Sequence, residues 1–147
     1  SSIVSRITPR ERNRFSTGTT MTAEAHALRS FFRAHQYAVV GASTDRSKFG
    51  NKVLRWYQER QLPVTPVHPT QTRIEGEMAV RSLSDVMDGA ANAYEARTSV
   101  SIVTPPHVSL GLLKYYVHDP RVIAMWLQPG AADGPVSKYC QWTLANV

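Results

Sequence analysis

Four short apolar runs recur along the chain: "YAVV" at residues 37–40, "VTPV" at 64–67, "SVSIV" at 99–103 and "VIAMWL" at 122–127. Stretches with helical signals lie between them. This alternation constrains the fold more than any other feature. Strands joined through helices of about ten to thirteen residues cannot be hairpin partners, so they must lie parallel with right-handed crossovers. "TAEAHALRSFFRAH" has Thr22 as a candidate cap and Leu28, Phe31 and Phe32 as a helical stripe. Residues 50–61 place Val53, Leu54 and Tyr57 on one helical face and Lys52, Arg55 and Glu59 away from it. "SLSD" has Ser82 and Asp85 at capping-box spacing, and Pro106 suits the first turn of a helix burying Leu112, Leu113, Tyr116 and Val117.

"EMAV" at residues 77–80 reads as a brief third strand, and Pro66 keeps the second strand short because proline removes a ladder bond. The expected fold is therefore α/β: a Rossmann-like doubly wound parallel sheet of about five strands, with helices on both faces in three layers. In the order 3-2-1-4-5, ligands bind outside the carboxyl ends of the strands, between the first and the fourth. The loops meeting there are "GASTDRSKFG" and "TPPH".

A length of 147 residues suits one domain, and no apolar run approaches the roughly 20 residues that span a bilayer. The single cysteine, Cys140, excludes an internal disulfide and reads as a small buried hydrophobe. With no CxxC or HExxH pattern, no metal site is expected, and the setting is a reducing one, the cytoplasm. Half of the formal charge of +6 sits in the first twenty residues, where Arg6, Arg10, Arg12 and Arg14 face only Glu11. The remaining 13 basic and 10 acidic residues suit one polyanionic small ligand, so nucleic acid is not the favoured partner. Residues 1–21 read as a flexible basic extension and 22–147 as the binding domain. Alternatively, Ile3, Val4 and Ile7 with the arginines form a weak mitochondrial presequence.

The loop after the first strand has the parts of a phosphate cradle. A diphosphate needs backbone N–H groups within reach, a helix amino-terminus and small residues that let the chain approach. Gly41, Ala42 and Ser43 are small, Gly50 admits the turn into the helix, and Arg46, Lys48 and Lys52 bring positive charge. The loop is neither GxGxxG nor GxxxxGK[ST], so the ordinary dinucleotide fingerprint and nucleotide hydrolysis are not written in it. At the end of the second strand, NAD enzymes carry an acid for the ribose hydroxyls; here "VTPVHPTQTR" offers His68 and Arg73. A cationic neighbourhood favours a phosphorylated ribose, as in coenzyme A or NADP. The five histidines are scattered, and no catalytic set emerges, although His107 borders the expected crevice.

In their order and spacing, "VVGASTDRSKFGNKV", "PVTPVHP", "SVSIVTPP" and "MWLQPGA" resemble the small CoA-binding protein family, over about Ala25 to Ala132. Its fold is also that of the CoA-binding domain of the succinyl-CoA synthetase alpha subunit. The resemblance implies that Gly41, Ala42, Ser43 and Lys48 surround the CoA diphosphate. Pro66, Val67, His68 and Pro69 would lie beside the adenosine, with Arg73 near the ribose phosphate. Thr104, Pro105 and Pro106 would form the opposite wall, and Gln128, Pro129 and Gly130 the edge toward the pantetheine arm. Nothing in the chain corresponds to the synthetase's phosphohistidine domain. Where family members continue past "QPGA" through a helix into one more strand, this chain reads "PVSKYCQWTLANV". The expected function is binding of coenzyme A or acyl-CoA without catalysis. An NADP-binding oxidoreductase-like domain and a regulatory or interaction module are the alternatives; the oligomeric state is not set.

Overall fold

Tyr37, Ala38, Val39 and Val40 are all buried, as befits a central parallel strand covered on both faces. The computed structural model describes residues 2–5 and 23–137. Its elements are β1 (Ser2–Ser5), α1 (Ala23–Phe31), β2 (Gln36–Val40), α2 (Phe49–Glu59), β3 (Val64–Val67), β4 (Arg73–Ile74) and β5 (Glu77–Met78). They continue with α3 (Leu83–Asp88), β6 (Thr98–Ile102), α4 (Pro106–Tyr116) and β7 (Val122–Leu127). The main sheet runs β1-β7-β6-β2-β3. Its last four strands in that order are mutually parallel, and β1 lies antiparallel on β7 with Ile3 opposite Trp126.

The expected parallel α/β sheet is present, with two differences. First, "EMAV" does not form a strand of the main sheet. Glu77–Met78 instead pair antiparallel with Arg73–Ile74 across Glu75 and Gly76, both at positive φ (49° and 80°). Two such residues match the twist of a tight hairpin, so a local partner wins over the distant one. Val80 alone keeps the outer position, in a parallel bridge to Val67. The Val80 N–H donates to Pro66 O at 3.0 Å and Val80 O accepts from the His68 N–H at 2.9 Å. Pro66 O thus faces outward, and so does its nitrogen; the missing N–H leaves the β2 ladder intact. Second, Ser2–Ser5 pair with the β7 edge, where the sequence offered only an extension. The rest of that extension, the Thr22 cap and Cys140 lie outside the described residues.

Two cores result, one on each sheet face. Ala38, Val40, Val100, Ile102 and Leu127 pack with Leu83, Val86 and Leu113 of α3 and α4. Tyr37, Val39 and Ala124 pack with Phe31, Leu54 and Tyr57 of α1 and α2. Each valine, leucine, isoleucine or phenylalanine side chain so removed from water contributes about 1.5–3 kcal/mol. Ser99 and Ser101 of β6 are buried on the second face because both find partners. The Ser99 hydroxyl donates to Phe31 O at 2.6 Å, and Ser101 Oγ shares a 2.7 Å bond with the Tyr57 hydroxyl. Burial pushes the Tyr57 phenol well above its ordinary range, so it stays protonated as a member of this pair.

Local signals hold where a side chain closes its own turn. Ser82 and Asp85 form the anticipated capping box, and Pro106 opens α4. At the sheet end away from the loops discussed below, Arg121 forks onto Asp119 and reaches Asp88 at 2.7 Å; these bonds raise its already high pKa. No helix among the described residues is long and apolar enough to cross a membrane.

Candidate functional site

Register fixes the site. Val40 is paired with both Val67 and Ile102, and Ile102 with Leu127. These residues end β2, β3, β6 and β7, so the segments beginning at Gly41, His68, Val103 and Gln128 leave the sheet at one level of its carboxyl edge. Two bonds extend the alignment: the Val103 N–H donates to Val40 O at 2.9 Å, and the Gln128 N–H to Ile102 O at 3.0 Å. The switch point lies between β2 and β6. Gly41 sits there at φ 92°, where a β-carbon would come within 3.0 Å of the Val103 carbonyl and 3.2 Å of Thr104 Cγ2. Only glycine combines that φ with that contact.

The β2–α2 loop is held by bonds from α2 and the β4–β5 hairpin. Asn51, fully buried in the first turn of α2, donates through Nδ2 to Ser43 O and to Glu75 Oε1, both at 2.9 Å. Its Oδ1 accepts from Arg55 Nε at 2.8 Å, and Arg55 also donates to Arg46 O at 3.1 Å. Asp45 closes the loop internally, accepting from the Ser47 N–H at 2.9 Å and the Ser47 hydroxyl at 2.6 Å. These bonds, the hydroxyl's first, hold its carboxyl below the usual range. Gly50 packs so tightly beneath the Gly41 carbonyl oxygen that a β-carbon there would collide with it.

Against this internal bonding, the N–H groups of Ala42, Ser43 and Thr44 have no hydrogen-bond partner among the described residues, nor do those of Phe49 and Gly50. No side chain caps α2, and no acid stands in its first turn. Three consecutive unpartnered amides thus lie in the loop that leads into a bare helix tip, and both are features that can receive an anion. Arg46 is partly committed, its Nε 3.3 Å from Glu75 Oε1, while Lys48 and Lys52 are exposed beside the loop.

The remaining predicted residues are distributed around this centre. Val67 is buried at the end of β3, so its side chain belongs to the core and only its backbone reaches the edge. His68 Nδ1 accepts from the N–H groups of Gln71 at 2.9 Å and Thr70 at 3.0 Å, which leaves Nε2 as the N–H donor; Pro69 is exposed inside that turn. Arg73 donates to Gly76 O at 3.0 Å within the hairpin. The Thr104 hydroxyl is engaged with Ser109 Oγ at 3.0 Å, while Pro105 and Pro106 begin α4. Gln128, Pro129 and Gly130 form a turn closed by the Ala131 N–H on Gln128 O at 2.9 Å, with Gly130 at φ 88°. His107 is exposed on the first turn of α4. No group of three metal-ligating side chains occurs among the described residues.

Sequence reading missed Asn51 and Glu75. Asn51 had a signal, being polar at helical spacing from Leu54 on the buried face. Glu75 had none, because its role depends on the hairpin that swings it against α2, where Gln58 Nε2 donates to its carbonyl at 2.8 Å.

A parallel sheet flanked by helices on both faces defines a Rossmann-like α/β domain. The chain belongs to the CoA-binding domain family, whose model, described as "CoA binding domain", matches residues 35–147. That membership supports CoA binding in general. Among solved structures, the chain is similar to a conserved hypothetical protein from Pyrococcus furiosus. The two are 28% identical at a TM-score of 0.57, with 74% of this chain and 86% of that chain covered. A protein from Thermus thermophilus is 25% identical at a TM-score of 0.61, with 83% and 87% covered. A hypothetical protein from Pyrococcus horikoshii OT3, 21% identical at 0.62 with 84% and 81% covered, shares the fold. No curated protein matches the chain.

Proposed function

We propose that the chain binds coenzyme A or an acyl-CoA with the diphosphate on the β2–α2 loop. The observation that carries this reading is the set of unpartnered amides at Ala42, Ser43 and Thr44 beside the uncapped tip of α2. Backbone N–H groups in a fixed array cost no reorganisation when they meet an anion, and the helix dipole adds to their field. Lys48 and Lys52 supply mobile charge. In this reading Gly41 brings the loop against Thr104, so Thr104, Pro105 and Pro106 wall the crevice opposite the diphosphate. Gln128, Pro129 and Gly130 edge it toward the pantetheine arm.

The adenosine end lies beside Pro66, Val67, His68 and Pro69. His68 offers its Nε2–H, and Arg73 turns its remaining guanidinium N–H groups to the 3′-phosphate. That contact separates CoA from ligands lacking a ribose phosphate. The reading assigns binding and no reaction, in a domain of residues 22–147 and in the cytoplasm, which suits a chain with one cysteine.

Thermal denaturation with and without ligand tests it. Coenzyme A should raise the melting temperature, and Lys48→Glu should abolish the rise while leaving the apo transition in place. NADPH binding tighter than CoA in a calorimetric titration would transfer the site to NADP. No shift at millimolar CoA would refute the proposal.

A further inference from the structure

A cavity of about 300 Å³ lies beneath α2, on the same sheet face as Tyr57. Phe49, Val53, Trp56 and Tyr57 of α2 and Trp126 of β7 give it an aromatic and aliphatic wall. Lys52 and Gln128 line it too, and both belong to the carboxyl edge where the β2–α2 and β7 loops emerge. One end of the cavity therefore adjoins the nucleotide crevice. Its floor is chemically complete, because Ser101 and Tyr57 satisfy each other.

Such a wall repels phosphate and ribose, whose desolvation it does not repay. It suits an alkyl chain. From Phe49 to Tyr57 the helix advances roughly 12 Å at 1.5 Å per residue, and an extended chain advances about 1.2 Å per bond. The depth therefore matches about ten carbons. Volume agrees, since an apolar cavity of about 150 Å³ holds a benzene ring and this one is twice that size. We propose that the cavity beneath α2 seats the acyl group of a CoA thioester of medium chain length. The proposal rests on the CoA reading above and narrows the ligand from CoA to a class of acyl-CoA.

The test is calorimetric titration of the whole chain with CoA, acetyl-CoA, octanoyl-CoA and palmitoyl-CoA, each below its micelle concentration. Octanoyl-CoA should bind about tenfold or more tightly than CoA, since each buried methylene adds affinity. Acetyl-CoA should resemble CoA, and palmitoyl-CoA should gain nothing over octanoyl-CoA. Val53→Trp, which fills the cavity, should bring octanoyl-CoA down to the affinity of CoA and leave CoA unchanged. Tryptophan emission of the wild type supplies a reading independent of that variant: it should shift with octanoyl-CoA beyond any change seen with CoA.

Equal affinity for CoA and octanoyl-CoA, or equal emission changes, would overturn the acyl assignment and leave CoA binding standing. Loss of CoA affinity in a folded Val53→Trp would also overturn it, by showing that the cavity holds the pantetheine arm. Failure of every CoA form to bind would overturn both readings.

Discussion

The side-chain amide of Asn51 donates to the carbonyl oxygen of Ser43 at 2.9 Å and, with its second hydrogen, to Glu75 at the same distance. One buried side chain thereby fixes the β2–α2 loop, the start of α2 and the β4–β5 hairpin relative to one another. Asn51→Ala leaves the Ser43 carbonyl and the Glu75 carboxylate without this donor. The expected cost is about 1–3 kcal/mol, read by chemical denaturation, together with weaker CoA binding because the loop amides lose their anchor. Unchanged stability and affinity would contradict the role.

Gly50 carries the second constraint. Its missing β-carbon is what lets α2 begin directly under the Gly41 carbonyl, and the opposing atom is backbone, which does not swing aside. Gly50→Ala should destabilise the protein by about 1–3 kcal/mol through overpacking, even though alanine is the better helix former. It should also reduce the CoA-induced rise in melting temperature. A stabilised variant would mean that the loop yields easily.

Tyr57 and Ser101 form a self-contained pair in the second core. Tyr57→Phe strands the Ser101 hydroxyl and should cost about 1 kcal/mol or more; adding Ser101→Ala should recover part of that loss, because no donor is then left unpaired. A double-mutant cycle of denaturation midpoints gives the coupling. Strictly additive losses would contradict the pairing.

Asp45 makes a pH prediction. Its bonds from Ser47 favour the carboxylate, so its folded-state pKa is depressed. A depressed acid contributes order that is present above its ordinary value of about 3.9 and is lost as the pH falls through the lower folded value. The Ser47 amide resonance should therefore titrate with a midpoint below that ordinary value and stay flat from there through neutral pH. A midpoint above it would show that the loop does not hold Asp45 as drawn.

Legibility in the sequence followed the range of the forces involved. The central strands were readable because parallel strands buried on both faces are apolar throughout, as in residues 37–40 and 122–127. The Ser82 box and Pro106 were readable because each acts within one turn. "EMAV" misled because hydrophobicity alone does not separate a main-sheet strand from the arm of a hairpin. The deciding signal was the "EG" pair at residues 75–76, whose positive φ angles turn the chain back. Ser2–Ser5 carried only Ile3 and Val4 as a signal, and their place depends on a free edge of β7 more than a hundred residues away in the chain.

The candidate site was partly legible in the same sense. Gly41, Ala42, Ser43 and Lys48 stand out by residue type, and the family match supports a CoA ligand. The brace of Asn51 and Glu75 was hidden, since it is assembled from segments that sequence does not bring together. Trp126 is half-buried against the second core, with its ring edge-on to Phe31 at 5.6 Å, and it also lines a cavity.

Amide-resolved NMR of the isotopically labelled chain, titrated with coenzyme A, addresses the central claim most directly. The N–H signals of Ala42, Ser43 and Thr44 should move downfield together as they take up the diphosphate, with those of Phe49 and Gly50 following. Saturation with CoA while these five signals stay in place would contradict the account.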